Sequence, residues 1–349
     1  MTAQPRLLAL ATAVPPYLIG QEEAAQRARA LFAESIPETI DHMLPVFGNA
    51  GIERRYSCVP IDWYAEPHGW RDRNTVYINN ALDLLERAAR KCLASAGLEP
   101  RDMDGIVAVS TTGIATPSLD ALLIDRLALR PDIKRLPIFG LGCAGGVLGL
   151  ARAAELARAN PASRILFLVV ELCALSFRKD DFSKSNLVAT ALFGDGAAAA
   201  IIASEGTGPA FGVSGEHTWP NSLDIMGWDV EEDGLRALFS RDIPTLIHQQ
   251  LREVTTEFLA RQGKRLADID HFVCHPGGAK VVTALEEAFD LQEGTLMDAR
   301  TILRDYGNMS AATVLFVLER MLQAGPKGRL LMTALGPGFT AAFQMLEIA

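Results

Sequence analysis

The stretch "FGLGCAGGVLGL", residues 139–150, places one cysteine among glycines at the joint between two apolar runs. The run before it, 136–139, has the composition of a buried strand, and the run after it keeps helical spacing to residue 160. A cysteine at a helix N-terminus lies at the positive end of the helix dipole, which lowers its pKa and favours the nucleophilic thiolate. The sequence therefore predicts a strand-to-helix turn that carries a candidate nucleophile, Cys143.

The same glycines also match a dinucleotide-binding pattern. Gly140, Gly142 and Gly145 form G-x-G-x-x-G, and a strand-like run ends at Glu171, about where such a fold places the acid that binds the ribose. An NAD-dependent oxidoreductase therefore competes with cysteine chemistry for this stretch. A buried, inert cysteine is a third interpretation.

Length, charge and cysteine content narrow the class of protein. The 349 residues are 49% hydrophobic, which is enough for two halves that each bury a core. The net charge of −9 and the lack of a long basic run argue against nucleic acid as a partner and favour a small molecule. Five cysteines without a C-x-x-C pair argue against a zinc site or disulfide framework and for a cytoplasmic protein. The apolar run 165–177 is too short to span a bilayer, so no membrane span is expected.

Strands and helices alternate along the chain, which predicts an α/β fold with largely buried strands. A stretch with glycine and proline, 205–215, predicts a boundary between two halves, 1–205 and 206–349. The second half shows the same alternation of strands and helices less regularly. Helices are expected over 22–32, 76–96, 118–127, 144–160, 244–262, 279–289 and 310–324, and strands over 7–14, 105–110, 136–139, 165–171, 197–203, 269–274, 329–335 and 339–348.

A cysteine nucleophile needs a base, and His275 is the best placed of the six histidines. In "HFVCHPGGAKVV" it ends an apolar strand, Pro276 restricts it to extended backbone, and two glycines turn the chain into a helix. This joint is of the same kind as the one at Cys143. A packed histidine is the competing interpretation.

Three further motifs are ordinary when taken singly. Asn308 in "YGNMSAATVLFVLERM" fits a helix cap, and Phe193 in "ALFGDGAAAA" fits a core position. The "GPGF" of 336–339 fits a hairpin turn.

Together, and in this order, the five motifs resemble the type III polyketide synthases of the chalcone and stilbene synthase superfamily, in their bacterial form. The resemblance covers nearly the whole chain. The "HPGG", "GNMSAA" and "GPGF" motifs favour this family over ketoacyl-acyl carrier protein synthase III, which shares the Cys-His-Asn set and is the alternative. The oxidoreductase interpretation would leave four of the motifs as coincidence.

The resemblance implies a thiolase fold of five αβαβα layers, a homodimer and an acyltransferase. Cys143 would take a starter acyl group from coenzyme A, with His275 holding it as a thiolate. Malonyl-CoA would then lose CO2, His275 and Asn308 would bind the enolate oxygen, and Phe193 would screen the site. Repeated condensation and cyclisation would follow. Coenzyme A thioesters are substrates here, and no permanently bound cofactor or metal is implied.

The resemblance also implies a set of small pocket residues. A long fatty acyl starter, giving an alkylpyrone or alkylresorcinol, is the expectation that follows from their size. Arg54 and Arg55 are the candidates for the coenzyme A entrance, while the number of extensions and the mode of ring closure stay open. The substrate-binding positions are Thr111, Thr112, Thr116, Cys173, Ser176, Gly227 and Ser310, of which Thr116 stands where plant members carry a methionine that reaches across the dimer.

Overall fold

The computed structural model describes residues 4–33, 37–240 and 243–349, which form layers of helices and strands. The strands are β1 (Arg6–Ala13), β2 (Tyr17–Gly20), β3 (Arg54–Ser57), β4 (Gly105–Val109), β5 (Lys134–Ile138), β6 (Arg164–Leu172), β7 (Asp195–Ala203), β8 (Ala210–Thr218), β9 (Met226–Glu231), β10 (Gly234–Phe239), β11 (His271–Cys274), β12 (Gly328–Gly336) and β13 (Thr340–Ile348). The α-helices are α1 (Gln21–Phe32), α2 (Pro37–Met43), α3 (Pro45–Asn49), α4 (Trp70–Ala96), α5 (Leu119–Leu127), α6 (Gly145–Ala159), α7 (Lys184–Leu192), α8 (Ile243–Leu246), α9 (Arg252–Ala260), α10 (Ala279–Ala288), α11 (Met297–Tyr306) and α12 (Thr313–Gln323).

The main sheet consists of two parts built alike. Its order is β11-β12-β13-β8-β1-β7-β6-β4-β5. In the first part β4 pairs in parallel with β5 and β6, and β6, β7 and β1 are antiparallel. In the second part β11 and β12 are parallel, and β12, β13 and β8 are antiparallel. The two parts meet where Arg6 of β1 pairs with Ala210 of β8, so the chain repeats one half-sheet design.

A buried helical layer lies between the two half-sheets. Helix α6 contacts β4, β6 and β7 of one part and β8, β12 and β13 of the other, and it also contacts α12. Its sequence GGVLGLARAAELARA supplies small residues on the sides that such a position must bury. Helix α4 covers the outside of the first half-sheet, and Phe258 of α9 stacks on Phe343 of β13 at 5.0 Å. The architecture is the predicted αβαβα thiolase fold.

One predicted helix is less regular than expected, and several elements were not predicted. The expected helix over 244–262 contains a π-helical segment (Ile247–Leu251) between α8 and α9. The elements that were not expected are α2, α3, α7, α11, β2, β3, β8, β9 and β10. Among the described helices, none has both the length and the hydropathy needed to cross a bilayer.

Candidate active site

One cavity of about 730 Å³ brings together three of the predicted site residues, Cys143, His275 and Asn308. Cys143 lies in the turn before α6, His275 directly follows β11, and Asn308 precedes a short 3-10 turn (Ser310–Ala312). These positions are 132 and 33 residues apart in the chain. The fold therefore assembles the site from both halves.

The thiol of Cys143 is held next to a hydroxyl. Its Sγ donates a hydrogen bond to Oγ of Ser310 over 3.5 Å, which puts a residue predicted to line the pocket in contact with the candidate nucleophile. Burial raises the pKa of Cys143 to about 12. Desolvation of the charge therefore opposes the lowering of this pKa that the helix N-terminus is expected to produce.

The ring of His275 is buried and lacks hydrogen-bond partners for both nitrogens among the described residues. Its backbone N–H donates to the carbonyl oxygen of Thr333 over 2.9 Å, which anchors the residue at the end of the sheet. Burial lowers the pKa of His275 to about 4, so the ring is neutral near pH 7. A neutral imidazole in this cavity can accept a proton and can donate a hydrogen bond to a bound substrate.

The side chain of Asn308 is fixed on two sides. Its Nδ2 donates to the carbonyl oxygen of Gly277 over 3.1 Å, and its Oδ1 accepts from the backbone N–H of Ser310 over 2.8 Å. The second contact is the turn-capping role that the sequence offered as the ordinary interpretation. The first contact uses one of the two amide hydrogens and ties Asn308 to the "HPGG" turn, so the other hydrogen can serve a ligand.

Phe193 belongs to an aromatic cluster next to the cavity. Its ring lies 6.0 Å from Trp228 and 5.6 Å from Phe239, measured between ring centroids. Phe239 lines the catalytic cavity, whereas Phe193 lines a second, apolar cavity of about 60 Å³. The aromatic cluster therefore lies between the cavity of Cys143 and the apolar cavity.

Glu171 lies behind the nucleophile and is fully buried. Its Oε2 accepts hydrogen bonds from the backbone N–H of Thr111 over 3.0 Å and from Oγ1 of Thr112 over 2.9 Å. Burial raises the pKa of Glu171 to about 7. Oγ1 of Thr111 in turn accepts from the backbone N–H of Gly142 over 3.2 Å, so the carboxyl group supports the turn that holds Cys143.

The glycines of the cysteine turn serve close packing. A Cβ on Gly142 would lie 2.6 Å from Cδ of Pro337 in the "GPGF" loop, and the residue has a φ of 47°. A Cβ on Gly146 would lie 2.1 Å from the carbonyl oxygen of Ala311. Glu171, the candidate ribose acid, is fully buried and accepts hydrogen bonds from Thr111 and Thr112. The close packing at Gly142 and this buried acid do not favour the dinucleotide interpretation.

The remaining pocket predictions divide into those near the site and those away from it. Cys173 and Ser176 line the apolar cavity, and Thr112 lines a small neighbouring pocket. Thr116 is exposed and lines none of the cavities found in the described residues. Gly227 also lines none of them.

Gly227 lies in β9 between two residues that line cavities. Its neighbour Met226 lines the cavity of Cys143, and its neighbour Trp228 lines the small pocket and contacts the Phe193 ring. Trp228 was not among the residues predicted from the sequence. The substrate-binding role of Gly227 stays a prediction.

Two further groups in or near the cavity were also missed. Thr333 is buried, lines the cavity and has a hydroxyl without a partner among the described residues. Lys184, Lys280 and His42 line the same cavity and supply basic groups. Arg55, expected at the coenzyme A entrance, is instead 4% exposed and bonded to protein carbonyls, so that expectation is wrong.

Comparison with known proteins identifies the family. The chain matches the chalcone and stilbene synthase N-terminal domain over residues 2–206 and the C-terminal domain over residues 212–345. The chain belongs to this family, the type III polyketide synthases. It is 40% identical to a putative chalcone synthase of Bacillus subtilis, with 96% of each chain covered. It is 37% identical to a 1,3,6,8-tetrahydroxynaphthalene synthase of Streptomyces peucetius, with 97% of this chain and 92% of that one covered.

A solved structure shows the same fold. The crystal structure of the 1,3,6,8-tetrahydroxynaphthalene synthase of Streptomyces coelicolor, a bacterial type III polyketide synthase, superposes with a TM-score of 0.94. The sequences are 29% identical, and 98% of this chain and 99% of that one are covered. The predicted family, fold and activity are thus confirmed: a type III polyketide synthase is an acyltransferase that condenses malonyl-CoA units iteratively and cyclises the product. Neither a ketoacyl-acyl carrier protein synthase III nor an NAD-dependent oxidoreductase is favoured.

Proposed function

We propose that this type III polyketide synthase uses Cys143 as its nucleophile, His275 as its base and His275 with Asn308 as its oxyanion donors. The observation that carries the proposal is their convergence in one cavity, where the His275 ring has two nitrogens without partners among the described residues. An unpartnered buried imidazole is costly unless a ligand completes its hydrogen bonds.

Loading of the starter follows from the neutral resting pair. His275 takes the proton of the Cys143 thiol as the sulfur attacks the thioester carbonyl of an acyl-CoA. The tetrahedral intermediate collapses, the bond to coenzyme A breaks, and the leaving thiolate takes the proton back from His275. The products are an acyl-Cys143 thioester and free coenzyme A.

Extension uses the same cavity. Malonyl-CoA loses CO2, and the electron pair of the broken bond forms a thioester enolate whose oxygen accepts hydrogen bonds from His275 and from the free amide hydrogen of Asn308. The enolate carbon attacks the acyl carbonyl and displaces the Cys143 thiolate. The aromatic cluster of Phe193, Trp228 and Phe239 keeps water from the malonyl carboxylate.

The basic side chains of the catalytic cavity fit a coenzyme A thioester. Lys184 and Lys280 are candidates to neutralise its phosphates, in place of the arginines that the sequence suggested. No permanently bound cofactor enters the proposal. Among the described residues, no group of three His, Cys, Asp or Glu could hold a metal ion.

A linear alkyl starter fits the second cavity. Most of the surface that the cavity exposes is apolar, although the side chains of Arg27 and Arg55 also line it. The predicted residues Cys173 and Ser176 belong to the lining. The cavity volume of about 60 Å³ is small, so the apolar lining rather than the size supports an alkyl chain as the occupant. Acyl-CoA with a medium or long chain is therefore the proposed starter, and an alkylpyrone or alkylresorcinol the proposed product.

Assembly and location complete the proposal. A homodimer is supported by the edge strand β5 and by the exposed apolar side chains of Leu136 within it and Phe139 directly after it. A cytoplasmic location is supported by five cysteines without a disulfide. The boundary between the halves is proposed at 205/206, in the connection between β7 and β8.

The test combines intact-protein mass spectrometry with product analysis. Wild type and Cys143→Ala are incubated with acyl-CoA starters of two to sixteen carbons, with and without malonyl-CoA. An acyl adduct on wild type alone, and alkyl-substituted pyrones or resorcinols from long starters, support the proposal. An adduct on Cys143→Ala would overturn the nucleophile, and tetrahydroxynaphthalene from malonyl-CoA alone would overturn the starter.

A further inference from the structure

The C-terminal end of α7 carries Phe193, and its carbonyl groups find partners outside the helix. The last four carbonyls of an α-helix have no partner within it. Here the carbonyl oxygen of Leu192 accepts from the backbone N–H of Asn308 over 2.8 Å, and the backbone N–H of Gly194 donates to the carbonyl oxygen of Asn308 over 3.0 Å. A β-bridge therefore joins Phe193 to Asn308 through the backbone.

A buried guanidinium group satisfies the other carbonyls of this helix end. Arg55 of β3 donates from Nη1 to the carbonyl oxygens of Thr190 over 2.5 Å and Phe193 over 3.1 Å. Its Nη2 donates to the carbonyl oxygen of Ala191 over 2.8 Å and to Oε1 of Gln21. Four donor contacts from one planar group fix the direction of the carbonyls that surround Phe193.

Arg55 also packs beneath both strands of the bridge. A Cβ on Gly194 or on Gly307 would lie 3.4 Å from Cβ of Arg55. Gln21 holds the guanidinium in place, because its Nε2 donates to the carbonyl oxygens of Phe47 over 2.9 Å and Ala191 over 3.1 Å. The arginine thus contacts the segments of both Phe193 and Asn308 without touching the reacting atoms.

We infer that Arg55 is a positioning residue for the malonyl half of the reaction: it fixes the Phe193–Asn308 bridge and thereby the aromatic screen and the oxyanion amide. The inference rests on the roles proposed above for Phe193 and Asn308. Cys143 and His275 lie outside this bridge, whereas Arg55 also lines the apolar cavity proposed for a long starter chain. Loading of acetyl-CoA, whose acyl group is too short to fill that cavity, should therefore depend on Arg55 far less than malonyl-CoA decarboxylation does.

The experiment measures the two half-reactions separately in Arg55→Met, Arg55→Lys and Arg73→Met. Arg73 is the matched control, since it is also a buried arginine that donates to carbonyls, those of Leu175 and Phe177, but it lies away from the bridge. Loading is followed as single-turnover acylation of Cys143 by acetyl-CoA, detected by mass spectrometry, and decarboxylation as release of CO2 from malonyl-CoA.

The expected result is a split between the half-reactions. In Arg55→Met, decarboxylation falls by roughly 10- to 100-fold, as for a misplaced catalytic group, while acylation changes less than about threefold. Arg55→Lys keeps a charged donor but loses the planar guanidinium that contacts several carbonyls at once, so its decarboxylation rate lies between those of Arg55→Met and wild type. Arg73→Met lowers stability without changing the ratio of the two rates.

Equal losses in both half-reactions, or the same split in Arg73→Met, would overturn the inference. If Arg55→Met does not fold, Gln21→Ala removes the group that orients Arg55 and must show the same split in milder form. Asn308→Ala separates the two proposals. If that variant decarboxylates normally, the role of Asn308 fails, whereas a defect in Asn308→Ala without one in Arg55→Met refutes only the positioning role.

Discussion

Burial favours the neutral form of both the Cys143 thiol and the His275 imidazole, the two groups proposed as nucleophile and base. It raises the pKa of Cys143 and lowers that of His275. The ion pair of a thiolate and an imidazolium therefore has to draw its stability from mutual attraction and from the bound substrate. The hydroxyl of Ser310, 3.5 Å from the sulfur, is the protein's own hydrogen-bond partner for the thiol in the described residues.

Asn308→Ala should slow malonyl-CoA decarboxylation far more than starter loading. The enolate oxygen exists only in the malonyl step, and loss of one oxyanion donor typically costs on the order of 100-fold. Loading on Cys143 in a single turnover serves as the internal control. If loading fell as much as CO2 release, Asn308 would act only through its cap of the Ser310 turn.

Glu171→Gln should stabilise the protein more at pH 8 than at pH 5. Burial raises the pKa of Glu171 from 4.5 to about 7, so the folded protein binds this proton more tightly than the unfolded chain. The resulting stability is complete below pH 4.5 and is lost as pH rises through 7, a difference of roughly 3 kcal/mol. Glutamine resembles the protonated acid at every pH.

Thermal unfolding of both proteins at the two pH values measures this effect. Burial also raises the pKa of Asp195, to about 6, but that carboxyl is present in both proteins and cancels in the difference. The expected gap in Tm between variant and wild type widens with pH. A gap that is the same at pH 5 and pH 8 would show that Glu171 does not titrate in this range.

The small residues of α6 allow the helix to lie close to the 3-10 turn of Ser310. Gly146→Ala should cost about 1–3 kcal/mol of unfolding free energy, because the added Cβ would lie 2.1 Å from the carbonyl oxygen of Ala311. The clash therefore outweighs the roughly 1 kcal/mol of helix stability by which alanine is favoured over glycine. Gly227→Ala is the control, since a Cβ there meets nothing within 4 Å. Equal unfolding midpoints in urea for the two variants would refute the packing argument.

A substitution in helix α1 tests the role of the apolar cavity directly. Ala28 is buried and lines it, so Ala28→Leu should fill the cavity and lower kcat/KM for long starters selectively. Each buried methylene contributes roughly 0.8 kcal/mol, or about fourfold in kcat/KM, until the chain reaches the end of the cavity. Ala30→Leu, at an exposed position of the same helix, is the control. An unchanged chain-length profile in Ala28→Leu would remove this cavity from starter binding.

The sequence predicted the strongly periodic elements well and the hairpin poorly. The strands β4, β6 and β7 are continuous apolar runs, and α4 and α12 carry long apolar stripes, so local pattern sufficed for them. The β9–β10 hairpin is half-buried and lacks a clear alternation, which is why neither of its strands was predicted. The cavity that joins Cys143, His275 and Asn308 depends on long-range packing, and only the family resemblance anticipated it from sequence. The buried place of Arg55 had no local signal at all.

Both parts of the chain contribute to the cavity of Cys143, His275 and Asn308, and strand β5 forms an edge of the sheet. Strand β5 ends the sheet order, and the edge of a sheet is open to pairing or to cover by another chain. Phe139, directly after β5, is 59% exposed, and Leu136 within the strand is 36% exposed. In a symmetric dimer each copy would present the same patch to the other.

Phe139→Lys should therefore convert a dimer into monomers. At a two-fold interface the substitution places two ammonium groups in the buried patch and removes two aromatic rings, so both desolvation and like-charge repulsion oppose association. Sedimentation velocity across a range of protein concentrations measures the change, with Val230→Lys as the control because Val230 is 76% exposed on the β9–β10 hairpin. Dimers in wild type and Val230→Lys with monomers in Phe139→Lys would support the interface at β5. A wild type that sediments as a monomer would contradict the dimer itself, and a dimeric Phe139→Lys would place its interface elsewhere.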